Sequence, residues 1–140
     1  MPDIESAPSS KLAEAAKSAA RQAYCPYSRF PVGAAVLADD GRIFAGCNVE
    51  NASYGLTICA ERNAVFQAVA HGARRIIAAV VYTPTPTPTA PCGACRQVLF
   101  EFGEEMIIHC LCDGTGALAM TLRELLPHAF GPTNLDSHPS

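Results

Sequence analysis

The sequence predicts an α/β layered domain, and three observations carry that expectation. Helical patterns and apolar strand patterns interleave along the chain. Residues 75–82 read Arg-Ile-Ile-Ala-Ala-Val-Val-Tyr without alternation, as a strand buried on both faces does. The two helical patterns that flank this strand each open with cysteine.

The elements follow in order. Ser9 and Ser10 can cap an Ala-rich helix that continues from Lys11 toward Tyr24 and stops before Pro26. Val32–Leu37 and Arg42–Cys47 read as two strands, with Asp40-Gly41 between them as a hairpin turn. Asn48–Thr57 is small and polar and reads as a loop. Cys59–Ala70 has helical composition and Gly72 stops it. After the apolar strand, Thr83–Thr89 alternates Thr and Pro, so it can neither extend a strand nor start a helix and reads as an extended connector. A helix is expected from Cys92 to about Phe102, strands at Met106–Leu111 and Ala117–Met120, and a short helix at Leu122–Leu126. Residues 1–140 suit one domain with one core, with loose tails at about 1–8 and 132–140.

Composition narrows the function. The formal net charge of -3 and the scattered ten Lys and Arg give no basic face for phosphates, so no nucleic-acid partner is expected. No apolar stretch is long enough to span a bilayer, and Met1–Ser10 lacks the basic and apolar regions of a signal peptide. The expected location is therefore cytoplasmic, with no membrane partner. There, seven cysteines are no disulfide framework, and some need another explanation.

Two segments supply one: Cys59-Ala60-Glu61, and about thirty positions later Pro91-Cys92-Gly93-Ala94-Cys95. This is the form of the zinc deaminase signature. Cys92 and Cys95 can grip one ion and Cys59 can be the third thiolate. Three protein ligands leave the fourth tetrahedral position open for water, as a catalytic site requires. Glu61 is not needed as a ligand and is placed to take that water's proton and pass it to a departing amine. Three thiolates on a divalent ion leave one net negative charge. Helix N-termini at both segments oppose it, as does Arg62, three residues after Cys59, in a supporting layer around the ligands. Each residue alone has a plainer reading: a core cysteine, an acid at a helix start, a surface arginine. Cys25, Cys47, Cys110 and Cys112 keep that plainer reading, as small core residues.

From about Ala23 to Pro132 the sequence resembles the short, homotetrameric cytidine deaminases. The shared strings include Cys25-Pro-Tyr-Ser-Arg-Phe-Pro-Val-Gly-Ala-Ala, Gly46-Cys-Asn-Val-Glu-Asn-Ala-Ser-Tyr, Cys59-Ala-Glu-Arg, Pro91-Cys-Gly-Ala-Cys-Arg-Gln and Leu125-Leu-Pro-His-Ala-Phe-Gly-Pro. The resemblance implies a three-layer α/β/α sandwich with a five-stranded mixed sheet and one zinc per chain. It also implies pyrimidine salvage by hydrolytic deamination of cytidine and 2'-deoxycytidine, in a homotetramer with shared active sites. By it, Asn48 and Glu50 hydrogen-bond the ribose 3'-hydroxyl, Phe30 lies beside the base, and the main chain of Ala60 with Glu61 reads the pyrimidine edge. Phe130 closes a neighbour's site and Tyr54 lies near a subunit interface. Without the resemblance, Phe30 and Phe130 would read as core and Asn48 as a turn former. Two features depart from the family pattern: Asn63 stands where Thr is commoner, and the Thr-Pro run is long.

Rival readings are a related amino-nucleoside deaminase of the blasticidin type, a polynucleotide deaminase, and a non-catalytic zinc module. The Phe-Gly-Pro ending weighs against the first, and Cys59 in place of His against the second. The third needs a fourth ligand and has no use for Glu61.

Overall fold

The computed structural model describes residues 7–136. Its elements are α1 (Ser10–Ala20), β1 (Gly33–Ala38), β2 (Ile43–Cys47), a 3-10 turn (Tyr54–Leu56), α2 (Ala60–Ala70), β3 (Ile76–Tyr82), α3 (Gly93–Phe100), β4 (Ile107–Leu111), β5 (Leu118–Thr121), α4 (Leu122–Leu125) and α5 (Pro132–Asp136). The strands form one sheet in the order β2-β1-β3-β4-β5. β1 runs antiparallel to β2 and β3, β3 is parallel to β4, and β5 is antiparallel to β4. The sheet is therefore five-stranded and mixed, as the resemblance implies.

Alternation along β1 divides the interior into two layers. Ala34, Val36 and Ala38 pack with Ala64, Val65 and Ala68 of α2, Leu99 of α3 and Leu122 of α4. Ala35 points the other way, with Leu12, Ala16 and Ala20 of α1 against Val80 and Tyr82 of β3. One helix thus covers one face and the remaining core helices the other, the three-layer α/β/α arrangement. Small residues let the layers approach closely. A Cβ added at Gly46 of β2 would lie 2.5 Å from the Ala64 nitrogen of α2, and one at Gly33 would lie 1.9 Å from the Ala16 oxygen of α1.

Several boundaries differ from the sequence-based expectation, each for a local reason. Ser9 caps α1 through its hydroxyl, which accepts from Leu12 N at 3.2 Å. The helix then ends at Ala20, short of Tyr24, because the Tyr24 main chain is taken by the loop after β2: Tyr24 N donates to Asn48 O at 3.0 Å and Glu50 N to Tyr24 O at 2.8 Å. The 48–57 loop is correspondingly partly extended, Val49 bridging to both Tyr24 and Ile58. β3 is buried on both faces except at Ile77, which is 46% exposed. Ile77 is the unpaired residue of a bulge, since β1 pairs Leu37 with Ala78 and then Ala38 with Ile76. α3 stops at Phe100, and the Phe102 carbonyl accepts from Ile76 N at 2.9 Å, fastening the helix end to the start of β3.

The hairpin turn has Gly41 in the left-handed region at φ 92°, which glycine adopts without strain. In the expected C-terminal tail, residues 132–136 form α5, with Pro132 at its first position and the Asn134 carboxamide accepting from Gly131 N at 2.8 Å. The rest of both expected tails, 1–6 and 137–140, lies outside the described residues. Cys110 is buried, but Cys25, Cys47 and Cys112 are only half-buried and are not core. Cys47 ends the edge strand β2, Cys25 lies in the hook before β1, and Cys112 sits past the end of β4 with its thiol donating to Gly116 O at 3.2 Å.

The Thr-Pro connector has no helix or strand, as expected, but it is held tightly. Thr83 is fully buried, its hydroxyl pairs with that of Thr85 at 2.7 Å, and Thr85 donates to Thr87 O at 2.7 Å. The connector also accepts Asp113 N on Thr85 O at 2.9 Å, and Gly114 lies so close that a Cβ there would be 2.0 Å from Pro86 O. Tyr82 donates its hydroxyl to the Asp113 carboxylate, closing the same joint.

The close contact at Gly46 gives a direct test. Gly46→Ala should destabilise the protein by about 1–3 kcal/mol, the usual cost of overpacking. Gly55→Ala, at a site where an added Cβ meets nothing within 4 Å, should stay within about 0.5 kcal/mol of the parent. Urea denaturation at fixed protein concentration measures both.

Candidate metal centre and substrate pocket

Parallel pairing of β3 with β4, joined by α3, sets two helix starts side by side on one face of the sheet. Cys59 is the N-cap of α2 and Cys92 the N-cap of α3. Neither cap side chain accepts from the backbone amides of its own helix, so both sulfurs are left to face each other. Cys95 follows one turn into α3, on its buried side. The Cys59 and Cys92 sulfurs are 3.9 Å apart and the Cys92 and Cys95 sulfurs 3.4 Å apart. All three lie within 4.8 Å of one another, and among the described residues no fourth His, Cys, Asp or Glu ligand atom joins the group.

This triangle fits zinc. With a zinc–sulfur bond of about 2.3 Å and tetrahedral angles, ligand sulfurs stand roughly 3.8 Å apart. An all-sulfur donor set with a fourth position free of protein ligands suits a borderline-soft, four-coordinate ion that keeps an exchangeable site.

Electrostatics lead the same way. The Cys59 thiol is pushed down to about 5, chiefly by the hydrogen bond it accepts from Cys95 and then, against the cost of burial, by Arg62. Cys95 is pushed strongly up, because it donates to Cys59 and is buried beside it and Glu61. Without a metal the cluster therefore ionises unevenly, and a divalent cation is what would let the sulfurs ionise together. Arg62 donates from Nη2 to Cys59 Sγ at 3.3 Å, while its buried Nε has no partner.

Glu61, in the first turn of α2, is 5% exposed. Burial raises its carboxyl to about 7, with the Cys59 thiolate adding in the same direction, while its own backbone amide, Cys95 and Arg62 pull the other way. Ala60 is fully buried ahead of it.

The expected substrate residues gather on the loops between α1 and α2. Asn48 is buried and both ends of its carboxamide hold the main chain before β1: Oδ1 accepts from Val32 N at 2.9 Å and Nδ2 donates to Phe30 O at 2.8 Å. Asn48 is thus more than a turn former, and each end of its carboxamide keeps one further hydrogen-bonding position. It fixes the segment that carries Phe30, which is 39% exposed and not core. The Glu50 carboxylate accepts from Tyr27 N at 2.9 Å, Ser28 N at 3.1 Å and the Ser28 hydroxyl. The hydroxyl first, and then the two amides, hold its carboxyl below the usual carboxylate range. Tyr27 and Tyr54 meet edge to face at 5.7 Å, and Tyr54 is largely exposed. Phe130 lies apart on the C-terminal segment and is 59% exposed, while Gln97 of α3 donates to its carbonyl at 2.8 Å.

Sequence reasoning assigned no role to four residues that organise these groups. Asn63 Nδ2 donates to Cys47 O at 2.8 Å, tying α2 to the residue before Asn48. Arg96 donates to Pro91 O and Leu125 O, both at 2.8 Å, and Gln97 holds Phe130. Ser28 joins Glu50 to Phe30 N, from which its hydroxyl accepts at 3.1 Å. The signal available for Ser28, Arg96 and Gln97 was their place inside the shared strings; for Asn63 it was its departure from them.

Comparisons with known proteins agree on one relationship. Residues 7–110 match the family described as the cytidine and deoxycytidylate deaminase zinc-binding region. The chain is 48% identical over 126 residues to a cytidine deaminase of Sporosarcina psychrophila, covering 89% of this chain and 93% of that protein. It is 45% identical over 137 residues to one of Mycobacterium tuberculosis, covering 96% of each. The crystal structure of a cytidine deaminase from Burkholderia pseudomallei superposes with a TM-score of 0.83 at 47% identity, covering 89% of this chain and all of that one.

The raised Glu61 carboxyl has a measurable consequence in the metal-free protein. A carboxyl raised from 4.5 to about 7 favours the protonated native state, so its ionisation costs stability as pH rises through that interval. With zinc stripped by a chelator, Glu61→Gln should be more stable than the parent above about pH 7, by up to about 3 kcal/mol, with the gap closing near pH 4. A gap of constant size across that range would show that Glu61 ionisation is not its cause.

Proposed function

The chain belongs to the cytidine deaminase family, and from that membership we propose that it hydrolyses the exocyclic amine of free cytidine and 2'-deoxycytidine. The products are the corresponding uracil nucleosides and ammonia. The observation that carries this reading is a three-sulfur group with a buried carboxyl beside it whose pKa is raised to about 7. A purely structural zinc module has no use for that carboxyl and needs a fourth ligand.

Cys59, Cys92 and Cys95 would hold one zinc ion, which when bound supplies Lewis acidity and acidifies a coordinated water. The chain's own residues do the rest. Glu61 accepts a proton on its carboxylate and returns it to the amine that leaves the pyrimidine ring. A carboxyl near neutrality serves both directions, since neither protonation state is strongly favoured. Its burial keeps bulk water from short-circuiting the transfer. Arg62 offsets the negative charge of the thiolates, together with the amides at the starts of α2 and α3.

The main chain at Ala60, with Glu61, reads the edge of the base, and Phe30 stacks beside it. Glu50 accepts the ribose 3'-hydroxyl with Asn48 alongside, a contact that leaves the 2' position free and so accepts ribo- and deoxyribonucleosides alike. No described helix is long and apolar enough to cross a membrane. The setting we infer is cytoplasmic pyrimidine salvage.

Assembly is the second part of this proposal. A homotetramer with shared sites is supported by Phe130, an aromatic ring left exposed although its main chain is fastened by Gln97. Tyr54, also exposed, would lie near the same kind of interface.

Metal analysis and ultraviolet assays on two variants test the chemistry. Cys92→Ala should lose zinc and activity together. Glu61→Gln should retain one zinc per chain and lose roughly a hundredfold or more in turnover of cytidine. Full zinc in the first or near-parental rates in the second would reject the assignment, and turnover of blasticidin with none of cytidine would transfer it to the related class.

Phe130→Ala tests the shared site. Stacking on a base is worth about 1–3 kcal/mol, so KM for cytidine should rise by about fivefold or more with zinc content unchanged. A fully active monomer in sedimentation, or unchanged kinetics in the variant, would refute it.

A further inference from the structure

Glu50 is bound by its own chain in an uneven way. Oε1 accepts from Tyr27 N at 2.9 Å and from Ser28 N at 3.1 Å, and Oε2 accepts from the Ser28 hydroxyl. A carboxylate offers about four acceptor positions, two on each oxygen. Residues 27 and 28 fill both positions on Oε1 and one on Oε2, so a single acceptor position remains. The carboxylate borders a hollow of about 350 Å³ that it shares with Tyr27, Ser28, Tyr54 and Thr57.

Ser28 is held as firmly as the group it holds. Its oxygen accepts from Phe30 N at 3.1 Å while its proton goes to Glu50. Arg29 between them has φ 55°, a left-handed conformation uncommon outside glycine, and Arg29 N donates to Cys25 O at 2.9 Å. The chain from Cys25 to Phe30 is therefore a closed hook around one hydroxyl, and its far end is fixed again by Asn48 through Phe30 O.

We propose that Ser28 is the positioning residue for sugar recognition: by occupying one side of Glu50 Oε2 and fixing the carboxylate's rotation, it leaves one acceptor aimed at one sugar hydroxyl. This rests on the reading above that Glu50 accepts the ribose 3'-hydroxyl. Ser28 itself touches no reacting atom and acts through Glu50. A carboxylate that has lost this restraint can still accept a hydroxyl, but it must give up rotational freedom to do so, and it can offer Oε2 in more than one direction.

The test compares 2'-deoxycytidine with 2',3'-dideoxycytidine, which differ only in the 3'-hydroxyl. The preference, as a ratio of kcat/KM values, is measured for the parent, Ser28→Ala, Ser28→Thr and Glu50→Gln, with zinc content as the check on folding. Ser28→Ala should lower the preference about three- to tenfold, the net effect of losing one ordinary hydrogen bond, since the Tyr27 and Ser28 amides still hold Oε1. The loss should appear in KM for 2'-deoxycytidine, with kcat/KM for the dideoxy compound within about twofold of the parent. Ser28→Thr, which keeps the hydroxyl, should restore most of the preference.

If Ser28→Ala fails to retain zinc, Ser28→Cys supplies the comparison, since it keeps the shape with a weaker donor and should lose part of the preference. An unchanged preference in Ser28→Ala, or an equal loss on both substrates, overturns the proposal if Glu50→Gln still abolishes the preference. An unchanged preference in Glu50→Gln overturns the sugar reading of Glu50 itself, and the role of Ser28 with it.

Discussion

Three cysteine sulfurs within 4.8 Å of one another are an electrostatic problem that the fold creates and a cation resolves. Free thiols of ordinary pKa would ionise independently, but here Cys59 is driven down and Cys95 up, so the metal-free cluster cannot carry full charge. Everything around it answers that constraint. Two helix starts point their unpaired amides at it, Arg62 bonds one sulfur, and the sheet beneath fixes the spacing through the parallel pairing of β3 and β4. Glu61 shares the same field. It is buried where a carboxylate is disfavoured, which is poor for stability and suits the proton exchange proposed for it.

The substrate side follows a different rule. The metal side depends on charge, whereas the substrate loops depend on hydrogen bonds made within the chain. Asn48 spends both ends of its side chain on the main chain, and Glu50 spends most of its acceptor capacity on residues 27 and 28. A loop built this way loses little freedom when a ligand arrives, so its cost of ordering has been met within the free protein. Asn63 joins the two halves, tying α2, which carries Glu61, to Cys47 at the end of β2, the residue before Asn48. The residue that departs from the family pattern is thus a brace between α2 and the loop that carries Asn48 and Glu50.

The layered fold and the ligand cysteines were legible because they rest on local signals: an apolar run, a hairpin glycine, and thiols at the starts of two helices. The end of α1 was not legible. Helix propensity continues past Ala20, and only the loop at 48–50, distant in sequence, claims the Tyr24 main chain. Ile77 was read as buried because a bulge leaves no mark in an Ile-Ile-Ala-Ala run. Cys25, Cys47 and Cys112 were read as core because composition cannot tell the edge of a sheet from its centre. Ser28, Arg96 and Gln97 went without roles because each acts on main-chain or carboxylate atoms that adjoin it only in the folded chain.

The Thr-Pro connector bears on how this sequence can drift. It leaves β3 at Thr83, which has no exposed surface, is clasped by Asp113 and Gly114 midway, and delivers the chain to Cys92 through a Pro91 whose carbonyl is held by Arg96. It is held partly by side chains, the Thr83 and Thr85 hydroxyls, and partly by the carbonyls of Thr85 and Pro91, which any residue supplies. Slackening these ties would free the start of α3, which carries Cys92 and Cys95. That would let their sulfurs move away from Cys59 without altering any residue of the site. The placement of two sulfurs therefore constrains a segment that holds no ligand, through the hydroxyls and carbonyls that pin it.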